Sequence, residues 1–278
     1  MNKLKVSDFS LKHTLECGQF FLYELEKTAK DNFYYVLHKN IYFKIKQESN
    51  TLIYENIDEK DLINFFSLEL DLNTLTSDFN DEYLLIALEK YWGMRLIRQD
   101  LWQCMIGFVC SSASNIPKIK NNLKLISNFF GEEKYLNGKK YHTFPKPGGI
   151  NDLEKLKEAK TGYRAKFIFE INNIIIENPN LLNEIKKADY KTSKKLLIEL
   201  PGIGSKVADC ICLFALGHKE AFPIDTWVKQ IIEKLYLKRE AKNLKEIENY
   251  IEKNFDGHKG LKQQYLFYYM RNKKIIEK

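Results

Sequence analysis

Cysteine is scarce in this sequence and forms no pattern. Cys17, Cys104, Cys110, Cys210 and Cys212 are an odd, scattered set of five, which argues against a disulfide framework. No two stand as a C-x2-C pair, so the ligand spacing of a zinc ribbon or an iron–sulfur cluster is missing. No apolar run reaches the ~18 residues that cross a bilayer. The opening MNKLKVSDFSLKH has no apolar core of a secretory signal. The expectation is therefore a cytoplasmic protein that meets no membrane. Internal repeats and low-complexity tracts are absent too.

What is present reads as an ordinary globular protein. Hydrophobic residues make up 44% and charged residues 29% of the 278, enough for two domains with real cores. Lys and Arg number 44 against 37 Asp and Glu, a net +7. That excess suits a polyanionic partner and does not by itself establish one.

The order of patterns predicts an α+β chain. An antiparallel meander is expected over residues 19–56, where Ile41, Phe43 and Ile45 alternate with Tyr42, Lys44 and Lys46, the period of a half-buried strand. FFLYEL, NFYYVLH and TLIYEN flank it, separated by polar turns at Lys39-Asn40 and Ser49-Asn50. Helices follow. Asp81 caps one with a stripe of Leu84, Leu85, Leu88, Tyr91 and Trp92, and Asp100 caps another with Leu101, Cys104 and Phe108 inward. After the polar break SSASN, Pro117 opens a helix bearing Ile119, Leu123, Ile126 and Phe130, which stops at Gly131. Residues 137–149, NGKKYHTFPKPGG, read as a loop. From Asp152 onward the pattern is almost wholly helical. The expected domains are an α+β unit with an antiparallel sheet over 1–98 and a mostly helical unit over 99–278.

The stretch ELPGIGSKVADC carries the chemistry. Thr192 or Ser193 is expected to cap a short helix over 194–200. Pro201 ends it, and the glycines permit φ > 0 and a close backbone approach. A second helix starts near Ser205 with Val207, Ala208, Ile211, Phe214 and Ala215 inward. The free N–H groups at its start make an anion site, so such a hairpin can press its backbone onto a DNA phosphate. Lys206 lies one position outside the apolar stripe and shares an edge with Cys210. Asp225, in FPID, returns to the start of a third helix. A lysine and an aspartate at the mouth of one cleft suit a nucleophile and its electrostatic partner. Read alone, Gly18 is a turn glycine, and Phe267 and Cys210 are core residues.

Together, LPGIGSKVADCICLFAL and the following FPID resemble the helix-hairpin-helix, Gly/Pro-rich, Asp superfamily of DNA glycosylases. Five further blocks resemble the 8-oxoguanine DNA glycosylases more narrowly: CGQFF, RLIRQD, FVCSSASNIPKI, GYRAKF and QYLF. They stand in that family's order across nearly the whole chain. The resemblance implies a bifunctional glycosylase and lyase acting on double-stranded DNA that contains 8-oxoguanine. It also implies a monomer needing no metal or organic cofactor, with its cleft between helical subdomains, working at the nucleoid of a bacterial or archaeal cell. The base would be flipped out of the duplex. Lys206 would attack the sugar C1′ and form a Schiff base, and Asp225 would stabilise the positive sugar. In the base pocket, the Gly18 carbonyl would accept N7–H, Gln263 would bond the Watson–Crick edge, and Phe267 and Cys210 would enclose the ring. Gly202, Gly204 and Val207 of the hairpin would meet the DNA backbone. Tyr163 would wedge the duplex, and Arg164 would contact the cytosine opposite the lesion.

Some positions depart from the family pattern. Its three asparagines after Cys-Ser-Ser are here Ala113, Ser114 and Asn115. Its cytosine-reading arginine is Lys118, which lacks the bidentate fork. A histidine that touches phosphate is Trp227. The expectation is weaker discrimination of the opposite base. Two other readings stay open: a glycosylase of the same superfamily for another damaged base, and a non-enzymatic helix-hairpin-helix DNA-binding module.

Overall fold

A computed structural model describes residues 1–28 and 31–276. Five strands form one antiparallel sheet: β1 (Asn2–Lys5), β2 (Tyr23–Lys27), β3 (Asn32–His38), β4 (Ile41–Glu48) and β5 (Thr51–Glu55). Their order is β1-β5-β4-β3-β2, so the expected meander is extended by an N-terminal edge strand. Both expected turns join adjacent strands, with Lys39 and Ser49 at positive φ. Alternate residues of β3 enter different cores. Tyr34 and Val36 pack with α1 (Leu11–Glu16) and α2 (Glu59–Phe65), and Phe33, Tyr35 and Leu37 pack toward the later helices. The sheet is thus covered on both faces. Tyr42, expected outward, is buried.

After α3 (Leu72–Thr76) comes α4 (Glu82–Lys90), capped by Asp81 as expected. Its buried stripe is Leu84, Ala87 and Tyr91, whereas Leu85 and Trp92 are exposed. The i, i+3, i+7 set points inward and the neighbours one residue on point away. Next is α5 (Leu101–Ser111), capped by Asp100 and buried along almost its whole length. Asn115 caps α6 (Ile116–Phe130), which ends at Gly131. The expected loop 137–149 begins as a hairpin, β6 (Glu133–Leu136) and β7 (Lys139–His142). Asn137 and Gly138 both take positive φ, the Asn-Gly signature of a two-residue hairpin turn.

The remaining elements are helical: α7 (Leu153–Glu158), α8 (Arg164–Glu177), α9 (Leu181–Lys187), α10 (Tyr190–Ile198), α11 (Ser205–Phe214), α12 (Thr226–Ile231), α13 (Leu244–Asn254) and α14 (Lys259–Ile276). A π-helical turn, Ile232–Leu237, extends α12. The expected cap of the helix before the hairpin is corrected. Asp189 accepts from Thr192 N at 2.8 Å and starts α10 at Tyr190. The Ser193 hydroxyl donates to the Ile185 carbonyl at 2.9 Å and so is spent on α9.

The cores determine where a cleft can open. One cluster joins the outer sheet face to α5 through α11, and a second joins α4 to α12, α13 and α14. We propose residue 98 as the boundary along the chain; it lies in the extended segment between α4 and α5, and both clusters draw on residues from either side of it. The segment is fixed by Gln19, which is fully buried. Gln19 Nε2 donates to the Arg95 carbonyl at 2.7 Å, and Gln19 Oε1 accepts from Ile97 N at 2.9 Å. Its own carbonyl accepts from Gln99 Nε2 at 2.6 Å.

Gln19→Ala orphans the Arg95 carbonyl and the Ile97 N–H in the interior. It is expected to destabilise the fold by about 2–4 kcal/mol, lowering Tm by roughly 5–15 °C in a thermal melt. A shift below a degree or two would show that the two groups find other partners.

Candidate active site

The hairpin between α10 and α11 is pinned by its apolar residues. Leu200 and Ile203 are buried. Gly202 has φ +74, and a Cβ there would sit 2.6 Å from the Phe167 ring of α8, so geometry and space both require glycine. Across the hairpin, the buried Asp209 of α11 takes Lys194 at 2.8 Å and the Tyr190 hydroxyl at 2.7 Å, both from α10. Gly204 is the N-cap of α11 and offers no side-chain cap. Nothing lies within 4 Å of where its Cβ would be. The first-turn N–H groups of α11, including that of Val207, therefore begin at an open surface, as an anion site requires. The Val207 side chain itself is buried.

Lys206, in that first turn, points to the end of α5. Its Nζ donates to Ser111 Oγ at 3.2 Å and lies 5.6 Å from the Phe108 ring centroid. Asp225 is the N-cap of α12 and accepts from Val228 N at 2.8 Å. Burial raises its carboxyl above the usual range; the Val228 N–H bond and the Lys206 charge oppose this. The amine and the carboxylate thus sense each other at the cleft wall. Cys210 is one turn beyond Lys206, and burial pushes its thiol up to about 12. It is a neutral, apolar wall and not a nucleophile.

The third wall is α14 with the loop before Phe20. Gly18 has φ +94 and packs against Phe267 and Arg271. Gln264 Nε2 donates to the Cys17 carbonyl at 3.1 Å, and Arg271 Nη2 to the Glu16 carbonyl at 2.6 Å. Gln263 is buried, and its Oε1 has no hydrogen-bond partner among the described residues.

These walls enclose a cleft of about 830 Å³. Lys206, Cys210 and Asp225 line it from one side, and Gly18, Gln263 and Phe267 from the other. Asn115 and Trp227 line it as well. Ser111 and Arg271 also line it and were not foreseen; the i+4 step from Phe267 to Arg271 was the available signal.

The remaining expected DNA contacts lie outside the cleft. Tyr163 is 60% exposed, a ring free to meet a duplex. Lys118 is exposed in the first turn of α6, and the Asn115 side chain caps that turn by accepting from Lys118 N at 3.0 Å. Arg164 is buried. Its guanidinium donates to the carbonyls of Ser112 and Ala113, and a direct DNA contact would first have to break those bonds. Ala113 sits at φ +45, a conformation that costs an L-residue about 1–2 kcal/mol and that asparagine tolerates better.

Similarity to known proteins bears on the whole chain. The family pattern for the 8-oxoguanine DNA glycosylase N-terminal domain matches residues 2–105. A solved structure of MBOgg1 with a low-affinity DNA ligand is 32% identical, with a TM-score of 0.90 over 98% of this chain and 96% of that one. The chain belongs to the 8-oxoguanine DNA glycosylase family. A Clostridium acetobutylicum 8-oxoguanine glycosylase/lyase, solved with DNA bearing cytosine opposite 8-oxoguanine, is 27% identical with a TM-score of 0.89 over 99% of both chains. The N-glycosylase/DNA lyase of Saccharomyces cerevisiae is 35% identical over 67% of this chain and 54% of its own. The chain thus spans about half the length of that relative. It spans 75% of a probable N-glycosylase/DNA lyase of Methanothermobacter thermautotrophicus, at 27% identity. No helix among the described residues is long and apolar enough to cross a membrane.

Asp225→Asn keeps the cap on Val228 and removes an ionisation that burial opposes. With the folded pKa raised, the favourable contribution of the protonated carboxyl is complete below the unfolded value, near ~4. It is lost as pH rises through the folded one. The variant is therefore expected to melt above the wild type at pH 7.5, with the two curves converging below pH 4. Equal melting temperatures across that range would show that the carboxylate carries no burial cost.

Proposed function

We propose that this cleft excises 8-oxoguanine from duplex DNA and then nicks the abasic strand through a Schiff base on Lys206. The observation that carries the reading is the meeting, in one cleft, of a lysine amine, a half-buried carboxylate and an aromatic–glutamine face. The relatives named as N-glycosylase/DNA lyases and 8-oxoguanine glycosylases support it.

The open start of α11 holds a backbone phosphate, and the flipped base enters between Phe267 and Cys210. The Gly18 carbonyl accepts N7–H of 8-oxoguanine, where guanine has only an acceptor. Gln263 Oε1 accepts from the Watson–Crick edge. The Lys206 nitrogen attacks C1′ through its lone pair as the glycosidic bond breaks, and the electrons of that bond leave with the base, which takes up a proton. Asp225 stabilises the positive charge that develops on the sugar. Opening of the sugar ring gives an imine. Loss of a C2′ proton then expels the 3′ phosphate, and water releases the amine. Ser111 orients the amine through its hydroxyl. Lys118 and Ala113 leave the opposite base read by fewer directed bonds, so its identity matters less. Arg164 acts here by holding the 112–113 loop beside Tyr163.

Borohydride reduction tests the imine. A duplex with 8-oxoguanine opposite cytosine is expected to give a covalent adduct with the wild type and none with Lys206→Gln. An adduct that persists in the variant would place the amine elsewhere. Excision opposite each of the four bases is expected to vary by less than about tenfold; a cytosine preference above about a hundredfold, some 2.7 kcal/mol, would contradict the relaxed reading.

A further inference from the structure

We propose that Arg271 donates a hydrogen bond to the C8 carbonyl oxygen of the flipped base, making it a second specificity-determining residue. The inference rests on the reading of the cleft as an 8-oxoguanine site. Gln263, Phe267 and Arg271 follow one another at i, i+4 and i+8 along α14, so they share a face, and all three line the cleft. Phe267 supplies the flat surface in the middle. On either side stands a buried polar atom with no hydrogen-bond partner among the described residues: Gln263 Oε1 and Arg271 Nη1. One accepts and the other donates. Buried polar atoms are rarely left unsatisfied, and these two, on cleft-lining residues of one helix, mark where a ligand supplies the missing bonds; Ser114 Oγ, before α6, is a third such atom on the cleft lining.

The rest of the guanidinium is held in place. Nη2 donates to the Glu16 carbonyl at 2.6 Å. The guanidinium carbon stands 5.7 Å from the Phe267 ring centroid and 5.1 Å from that of Tyr268. Nη1 is thereby set beside Gly18, close enough that a Cβ on that glycine would come within 2.5 Å of it. In the proposed pose the Gly18 carbonyl accepts N7–H. C8 is bonded to N7, so a base held there presents its C8 oxygen to Arg271. Guanine carries only C8–H at that position. Gly18 and Arg271 then read both atoms that distinguish the lesion, one by accepting and one by donating.

The test compares single-turnover excision of 8-oxoguanine and of 8-thioxoguanine, which keeps N7–H and offers sulfur, a weak acceptor. The wild type is expected to favour the oxygen base by roughly tenfold to a hundredfold, as for a charged hydrogen bond. Arg271→Leu should bring the ratio near one. Cleavage of a preformed abasic duplex, which needs Lys206 and no base, should fall by much less than excision does. A ratio that Arg271→Leu leaves unchanged overturns the proposal. Equal losses on both bases overturn it too, and would put Nη1 on a DNA phosphate. Should Arg271→Leu also lose abasic cleavage, Arg271→Met, unbranched and without a donor, decides: a ratio brought near one supports the contact and an unchanged one removes it. Failure of the underlying reading looks different, because the wild type would then neither nick the abasic duplex nor excise either base.

Discussion

The Gln19 side chain is the constraint on which the cleft depends. It is fully buried and bonded to the segment between α4 and α5. Gln99 extends the chain of bonds, since its side chain holds the Gln19 carbonyl and its N–H donates to the Phe214 carbonyl at 2.9 Å. The loop that carries Gly18 is thereby referenced to the end of α11, the helix that carries Lys206. From the opposite side, Gln264 and Arg271 hold the carbonyls of Cys17 and Glu16. Three elements far apart in sequence are fixed by directional bonds to backbone. Apolar packing alone tolerates sliding; a ladder of buried hydrogen bonds does not.

Within that frame the charges are placed at some cost to stability. The Asp225 carboxyl is held in surroundings that oppose its ionisation. Lys206 is held by a hydroxyl and an aromatic ring. The amine and the partly desolvated carboxylate thus line one cleft, each sensing the other's charge. Gln263 Oε1, buried without a hydrogen-bond partner among the described residues, adds a further cost of the same kind.

The surface around the cleft divides into parts that are open to solvent and parts that support the loops. Tyr163 is exposed and Gly204 opens α11 to solvent. Arg164, adjacent in sequence to Tyr163, turns inward and braces the loop at Ala113. Neighbouring residues thus take opposite tasks, because the start of α8 sends one side chain to solvent and the next into the core. The loop it braces carries an alanine in a left-handed conformation, so the brace opposes a local strain.

Much of this was legible in the sequence. Period-2 alternation gave the central strands, Asp81, Asp100 and Pro117 marked helix starts, and the Pro-Gly-Ile-Gly turn marked the hairpin that precedes Lys206. These signals are local, because caps, turns and periodicity act within a few residues. The edge strand β1 was not legible, since four residues of NKLK carry little pattern until β5 pairs with them. The hairpin at Asn137-Gly138 was legible in principle and lay hidden among lysines. Phe267 and Cys210 read alone as core; the family resemblance assigned them and Gln263 to a pocket, and the tertiary structure puts all three on one cleft lining. It also decided that Arg164 is buried and that Arg271 reaches Gly18. The reason is physical: a sequence states which residues are apolar or polar, whereas the meeting of α14 with a loop some 250 residues earlier depends on long-range packing that no local pattern encodes.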